Sequence, residues 1–135
     1  MRYVGGKFRQ KKKIGEFVNI LSKNIQFDAY YEPFCGSMWS ACECIPIVLK
    51  NGITKVYLSD VSVALINMWL GVLNGWIPPD SVSEQEYKAI KKIRDPNNPL
   101  TAFVGFGLAF GGGYFNTYAR RKGGVHNFAY EAKVS

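Results

Sequence analysis

The feature that most constrains the fold is a strand, a glycine turn, a helix and a second strand that ends in a carboxylate. Its two parts are Tyr30-Tyr31-Glu32-Pro33-Phe34-Cys35-Gly36-Ser37 and Val56-Tyr57-Leu58-Ser59-Asp60. Pro33 lacks a backbone donor and ends strand pairing, and Gly36 permits a sharp turn into the helix. α/β proteins bind adenosine-containing ligands at such a turn, with the second acid on the ribose hydroxyls. The sequence therefore predicts an α/β fold with a ligand site where these strands end.

Two acids follow these strands, and each has an alternative role. Glu32 lies where α/β folds place ligand contacts, although a strand can also end in an acid that binds nothing. Asp60, 28 residues later, has the spacing of an acid that hydrogen-bonds a ribose, and it is equally suited to cap the next helix. The turn has one glycine, so it is not the G-x-G-x-x-G dinucleotide pattern. The residues alone leave both roles of both acids open.

Hydrophobic periodicity and turn residues predict two strands and six helices. The first half is predicted to contain a helix built on Ile14, Phe17, Val18 and Leu21, a strand over Asp28–Pro33, a helix capped by Ser37 that runs toward Pro46, and a strand over Lys55–Leu58. Three further helices are predicted from Asp60 to Leu73, from the capping box Ser83–Glu86 to Arg94, and from Leu100 to Phe110. An irregular glycine-rich segment over 111–124 and a final helix over 125–135 complete the prediction. A parallel sheet buried on both faces needs more than two strands. We therefore expect an exposed sheet edge, which favours self-association or pairing with a second chain.

The charge distribution favours a polyanionic partner. The net charge is +7, and the basic residues gather over Arg2–Lys13 and over Arg120–Lys122. Two local clusters suit a nucleic acid, because phosphates recur at fixed spacing along its backbone. A basic surface that serves only solubility is the alternative.

The cysteines and the hydropathy pattern indicate the compartment. Cys35, Cys42 and Cys44 are odd in number and lack C-x-x-C spacing, which favours reduced thiols over a zinc site or disulfides. No charged-then-apolar leader opens the chain, and no apolar run approaches the ~20 residues that span a bilayer. We expect a soluble cytoplasmic protein with no bound metal and no membrane partner.

Short motifs along the chain carry a family resemblance. Tyr3-Val4-Gly5-Gly6-Lys7 comes first, Glu32-Pro33-Phe34-Cys35-Gly36 follows, and Ser59-Asp60 comes next, with Leu65-Ile66-Asn67 in the helix after it. This order resembles the Dam-type DNA adenine-N6 methyltransferases, which combine Tyr-x-Gly-Gly-Lys, Glu-Pro-Phe-x-Gly and an Asn/Ser-Asp acid. The segments at 107–112 and 127–133 are similar to phage-type members. The resemblance covers essentially the whole chain.

The resemblance implies a partial Rossmann-like, S-adenosylmethionine-dependent methyltransferase fold with a helical DNA-recognition insertion. Residues 1–75 would be the cofactor-binding α/β portion, 76–124 the DNA-recognition region and 125–135 the start of a return helix. The implied cofactor is S-adenosyl-L-methionine, the implied partner is double-stranded DNA, and a phage or bacterial origin is implied. The implied cofactor residues are Tyr3 and Lys7 over the cofactor and DNA, Glu32, Pro33 and Phe34 along its methionine and adenosine, Gly36 at the turn and Asp60 on the ribose.

In this family a segment after the cofactor half recognises DNA, and residues 106–124 occupy that place. Their composition suits the role, with glycines for close approach, Asn116 as an adenine reader, aromatic rings for stacking and arginines for phosphate or guanine. A flexible glycine loop with ordinary surface charge is the alternative. The predicted DNA-binding residues are Lys7, Arg9, Asn116, Tyr118, Arg120 and Arg121, with Tyr114 and Phe115 as further stacking candidates.

The family's catalytic motif, Asp-Pro-Pro-Tyr, is absent from this sequence. Asp95-Pro96-Asn97-Asn98 is rejected as a substitute, because it follows a basic helix end, lacks the aromatic residue and precedes the recognition segment. His126 is better suited to a cap or the surface than to a general base. No residue is therefore predicted to be catalytic.

The predicted function is the S-adenosylmethionine-binding and DNA-binding portion of a site-specific adenine-N6 methyltransferase. A second polypeptide that supplies Asp-Pro-Pro-Tyr would be expected to restore methyl transfer. The alternative is a non-catalytic module that binds S-adenosylmethionine or DNA, such as a decoy or regulator.

Overall fold

The computed structural model describes residues 1, 3–120 and 128–134, which form a mixed helical protein with a small parallel sheet. The chain divides into two compact units. The first is Gly5–Val61, and the second comprises the described residues of Met1–Val4 and Ser62–Ser135. The division falls before the third helix, whereas the predicted cofactor portion extends to residue 75.

The first unit contains α1 (Lys11–Asn24), β1 (Ala29–Glu32), α2 (Trp39–Lys50) and β2 (Lys55–Leu58). The strands pair in parallel, with Ala29 opposite Lys55 and Glu32 opposite Leu58. α1 packs along α2, and the two helices run in the same direction. Their contacts follow that order: Lys11 lies over Trp39, a Cβ on Gly15 would meet Glu43, and the Asn51 amide donates to Ser22 at 2.7 Å.

The two faces of the sheet differ in burial. Tyr30 is half-buried on the face toward α2, where its hydroxyl meets Cys44. Tyr31 and Tyr57 lie on the opposite face, where they are 61% and 54% exposed. Within residues 1, 3–120 and 128–134, no further strand pairs with either edge. The exposed edge and the larger Rossmann-like sheet both stay predictions.

Helix α2 differs from its prediction at both ends. Ser37 is not its cap, because the residue before the helix is Met38, which has φ +63° and no side-chain hydrogen bond to the helix. The helix also continues through Pro46 to Lys50. Proline removes one hydrogen bond to the carbonyl four residues earlier, here that of Cys42. Cys42 and Pro46 are both exposed, so water can satisfy that carbonyl.

The second unit is helical and is built around α5. It contains α3 (Val63–Leu73), α4 (Glu84–Ile93), α5 (Pro99–Gly107), a 3-10 turn (Phe110–Gly112) and α6 (Phe128–Val134). Every residue of α5 from Thr101 to Gly107 is buried, and α5 packs against α3, α4 and α6. Within the described part of the chain, every helix is too short or too polar to span a bilayer.

Helix starts in this unit follow side-chain capping. Ser83 and Glu86 form the predicted capping box, with the Glu86 carboxylate accepting the Ser83 N–H at 2.7 Å. α3, however, begins at Val63 rather than Asp60, because the Ser62 hydroxyl accepts the Leu65 N–H at 3.4 Å. The alternative in which Asp60 caps this helix is therefore wrong. α5 also ends at Gly107, three residues short of its predicted end.

Candidate functional site

The glycine turn after β1 and the acid after β2 meet at the carboxyl edge of the sheet. The Gly36 N–H donates to Asp60 Oδ2 at 2.9 Å, and Gly36 has φ +49° in the left-handed region. Two backbone bonds extend the strand pairing into this turn, from Ser59 N–H to the Glu32 carbonyl at 3.0 Å and from Cys35 N–H to the Ser59 carbonyl at 2.9 Å. Three residues of the predicted cofactor site, Glu32, Gly36 and Asp60, are thus brought together at one edge.

Two hydroxyl groups hold the Glu32 carboxylate. Tyr30 donates to Oε2 at 2.8 Å, and Ser40 donates to Oε1. Burial, followed by the hydrogen bond to Glu32, raises the pKa of Tyr30, so its hydroxyl remains a donor at neutral and mildly alkaline pH. Glu32 is half-buried. Because both carboxylate oxygens accept from protein hydroxyls, the carboxylate has a defined orientation.

Two carboxylates, those of Glu32 and Asp60, act on the turn. The Cys35 thiol is buried between β1 and α2, and its pKa is raised first by burial and then by the negative charges of Asp60 and Glu32. Carboxylates of this kind repel a phosphate group and attract a cation or a hydroxyl. The edge therefore suits a ligand with hydroxyl groups and positive charge.

The other predicted cofactor residues lie in different settings. Pro33 is exposed in the turn, and Phe34 is 80% exposed, which leaves its ring accessible to a ligand. Lys7 is exposed and donates to the Gly5 carbonyl at 3.1 Å. Tyr3 belongs to the second unit, where its ring packs 5.0 Å from that of Phe106. Its predicted position over the cofactor stays a prediction.

Sequence reasoning missed Tyr30, Ser40 and Cys44 as supports of this edge. Tyr30 had a usable signal, because strand residues two positions apart share a face and Tyr30 is two residues before Glu32. Ser40 and Cys44 had none, because only the packing of α2 on β1 brings them to that face.

The segment after α5 is irregular as far as residue 120, and backbone hydrogen bonds close it into a loop, while residues 121–124 lie outside the described residues. Phe110 N–H donates to the Thr117 carbonyl at 2.8 Å, and Ala119 N–H donates to the Leu108 carbonyl at 2.9 Å. Ala109 and Tyr118 form an antiparallel bridge between these bonds. The glycines at 111–113 lie at the tip, where Gly111 and Gly112 have positive φ.

Aromatic rings from this loop join a continuous aromatic cluster in the second unit. Adjacent ring centroids are 4.7 to 5.7 Å apart, and the rings follow the order Tyr3, Phe106, Tyr114, Phe115, Tyr87 and Tyr118. The Arg94 guanidinium lies 5.2 Å from the centre of the Phe115 ring. Phe115 and Tyr87 are buried, so the cluster is part of the core.

The predicted DNA-binding residues of this loop are engaged by their own unit. Tyr118 is half-buried, and its hydroxyl donates to the Val82 carbonyl at 2.9 Å. The Arg120 guanidinium makes two hydrogen bonds to Glu84, one of them at 2.9 Å, and these bonds raise the pKa of Arg120. The backbone carbonyl of Asn116 accepts from Tyr87 at 2.6 Å, while Asn116 itself is exposed. Arg121 and His126 lie outside the described residues.

Comparison of the chain with models of protein families, with curated proteins and with solved structures finds no match. The described residues also contain no group of three His, Cys, Asp or Glu side chains placed to hold a metal ion. A functional assignment therefore rests on the residues themselves and on the geometry of the edge formed by Glu32, Gly36 and Asp60.

Proposed function

We propose that this chain is the S-adenosylmethionine-binding and DNA-binding portion of a site-specific DNA adenine-N6 methyltransferase. One observation carries the proposal: the Gly36 N–H donates to Asp60 at 2.9 Å, joining the glycine turn after one parallel strand to the acid after its neighbour. Ligands of open α/β sheets bind at the carboxyl ends of such strands. The motif order described above supplies the ligand's identity.

The chemistry of the edge fits S-adenosylmethionine better than a dinucleotide. Asp60 would accept hydrogen bonds from the ribose hydroxyls, Glu32 would attract the cationic methionine end, and Phe34 offers an exposed ring to the adenine. When bound, the cofactor supplies a methyl group on a positively charged sulfur. A pyrophosphate would instead be repelled by the two carboxylates, because all these groups are negatively charged.

DNA binding is supported by charge and by exposed polar groups. Lys7 and Arg9 are exposed on the first unit, and Asn116 is exposed at the loop of the second. Arg120 is bonded to Glu84 through Nε and Nη2, so its remaining N–H groups could contact a phosphate while the carboxylate offsets part of its charge. Double-stranded DNA is the partner that the motif order implies.

Methyl transfer itself is assigned to no residue of this chain. Asp-Pro-Pro-Tyr does not occur among the 135 residues. The exposed strand edges are compatible with self-association or with a second chain that carries this motif. Methyl incorporation into duplex DNA, measured with the chain alone and with such a second chain, separates the enzyme portion from a non-catalytic binding module.

Calorimetric titration with S-adenosylmethionine tests the cofactor site. Asp60→Asn keeps an oxygen that can accept the Gly36 N–H but removes the charge, so we expect at least about tenfold weaker binding, as for the loss of a charged hydrogen bond. Asp28→Asn is the matched control, because Asp28 is an exposed acid of the same unit just before the amino end of β1. No binding by the unaltered chain, or equal affinities for the two variants, would refute the proposal.

A further inference from the structure

A pair of aromatic rings, the exposed Phe8 and the half-buried Trp39, lies where α1 and α2 begin. The Phe8 ring lies 4.8 Å from the Trp39 ring at an interplanar angle of 66°, and Phe8 is 57% exposed. The Lys11 ammonium lies 5.0 Å from the centre of the Phe8 ring and 5.1 Å from that of Trp39. The ring of Phe8 thus contacts Trp39 and Lys11, and more than half of the Phe8 residue is exposed to solvent.

Several cations without a salt bridge to a described carboxylate follow Phe8 in the sequence. Arg9, Lys12 and Lys13 are exposed, and none of them lies within salt-bridge distance of a carboxylate of the described residues. Helix α1 has no acid in its first turn, where Lys11, Lys12 and Lys13 lie. Cations at this end of a helix are destabilising, because the helix dipole is positive there. A bound polyanion would relieve this repulsion.

We propose that Phe8, Trp39 and Lys11 form a stacking platform for an unpaired base of single-stranded DNA, with its phosphates on Arg9, Lys12 and Lys13. This inference rests on the DNA-binding part of the proposed function and is independent of the cofactor site. Single-stranded DNA sites combine a basic surface with aromatic side chains on which bases stack. The platform has both parts within a short stretch of chain, and its ring is already ordered by Trp39.

Single-stranded DNA fits this surface better than other polyanions. A duplex buries the faces of its bases, so it could use the cations but not the open face of Phe8. An acidic peptide would likewise pair with the lysines and leave the ring unused. Anionic lipid would use charge and apolar contact without regard to base stacking. Probes with and without bases therefore distinguish these partners.

Fluorescence anisotropy with a labelled oligodeoxythymidine and an abasic oligodeoxynucleotide of the same length tests the platform. Phe8→Leu keeps an apolar side chain but removes the ring, so affinity for the thymidine oligomer should fall about tenfold, since stacking on one ring has about that effect. Affinity for the abasic oligomer should not change, and Phe8→Tyr should retain binding to both. Retained binding of the abasic oligomer also shows that Phe8→Leu is folded.

The cations have their own test. The double variant Lys12→Gln/Lys13→Gln should weaken binding of both oligomers and reduce the slope of log affinity against log salt by about 1.4, the value for two phosphate contacts on a single strand. Lys23→Gln/Lys50→Gln is the control, because it removes the same charge from the last turns of α1 and α2, at the opposite ends of the helices from Phe8 and Trp39.

Three results would overturn the platform. They are an unchanged thymidine affinity in Phe8→Leu, an equal effect of the two lysine pairs, and binding of anionic phosphatidylserine vesicles with no binding of either oligomer. The proposed cofactor site is tested separately, because Phe8→Leu should bind S-adenosylmethionine with the affinity of the unaltered chain. If the unaltered chain binds the thymidine oligomer but not S-adenosylmethionine, the proposed cofactor site is refuted and the stacking platform stands.

Discussion

The turn after β1 and the loop after α5 use similar residues in opposite ways. Around the turn, hydroxyls and a backbone N–H converge on Glu32 and Asp60, two acids at one edge of the sheet. In the loop, the polar atoms of Tyr118 and Arg120 bond instead to Val82 and Glu84 of the same unit. The comparison shows that partners brought near by strand pairing gather two acids at one edge, whereas partners brought near by helix packing tie the polar atoms of the loop to their own unit.

The distance between partners along the chain explains much of this difference. The acids of the turn follow two paired strands, so the strand register itself brings them together. The loop residues bond to partners 36 positions earlier, in and just before α4. Such contacts depend on how helices pack, and no local sequence pattern predicts them.

The largest expected difference between the two units is in the free energy of unfolding that is lost when a helical glycine is replaced by alanine. Both Gly105 and Gly15 lie within helices, where alanine gains about 1 kcal/mol over glycine. A Cβ at Gly105 would lie 2.6 Å from Tyr114 Cε2 and 2.9 Å from Phe115 Cε2, two rings that pack on each other and of which Phe115 is buried. We expect Gly105→Ala to lower the free energy of unfolding by about 2 kcal/mol in urea denaturation, because overpacking outweighs the helix gain.

Gly15→Ala is the counterpart in the first unit. Its Cβ would lie 2.8 Å from Glu43 Cγ, which belongs to a flexible, partly exposed side chain that can move aside. We expect an unfolding free energy within about 0.5 kcal/mol of the unaltered chain, because helix gain and crowding nearly cancel. Equal losses for Gly15→Ala and Gly105→Ala would contradict the rigid aromatic core described for the second unit.

An intermediate effect is expected at the turn, on ligand affinity. Tyr30→Phe removes one of the two hydroxyls that orient Glu32, at a net hydrogen-bond value of about 1 kcal/mol. S-adenosylmethionine should bind about fivefold more weakly by calorimetry. Tyr31→Phe is the control, because this neighbouring hydroxyl contacts Ser59 and not Glu32. A larger effect at Tyr31 would show that Glu32 is not the group that Tyr30 positions.

The smallest effect is expected in the loop, on DNA affinity. Glu84→Gln weakens the hold on Arg120, which becomes available for a phosphate, so duplex DNA should bind about two- to threefold more tightly, with a steeper salt dependence. Glu86→Gln makes the same charge change on the same helical turn but leaves Arg120 paired, because Glu86 accepts from Ser83. If both variants bind DNA alike, only net charge matters and Arg120 makes no specific contact.

Local patterns determined much of this protein. The positions of β1 and β2, the Ser83–Glu86 capping box and the arrangement of the glycine turn beside a strand-ending acid follow from strand alternation, turn residues and capping. These features depend on neighbours within a few residues or on one strand pairing. That is why the meeting of Glu32, Gly36 and Asp60 at one edge could be anticipated.

Tertiary structure decided what local patterns left open. The Asp60 carboxylate accepts from the Gly36 N–H, 24 positions earlier in the chain, and the cap of α3 is Ser62 rather than Asp60. Tertiary structure placed Tyr30 and Ser40 on Glu32 through the packing of α2 on β1. It also packed the half-buried Tyr118 against the buried Tyr87 ring, since removal of apolar surface from water is favourable.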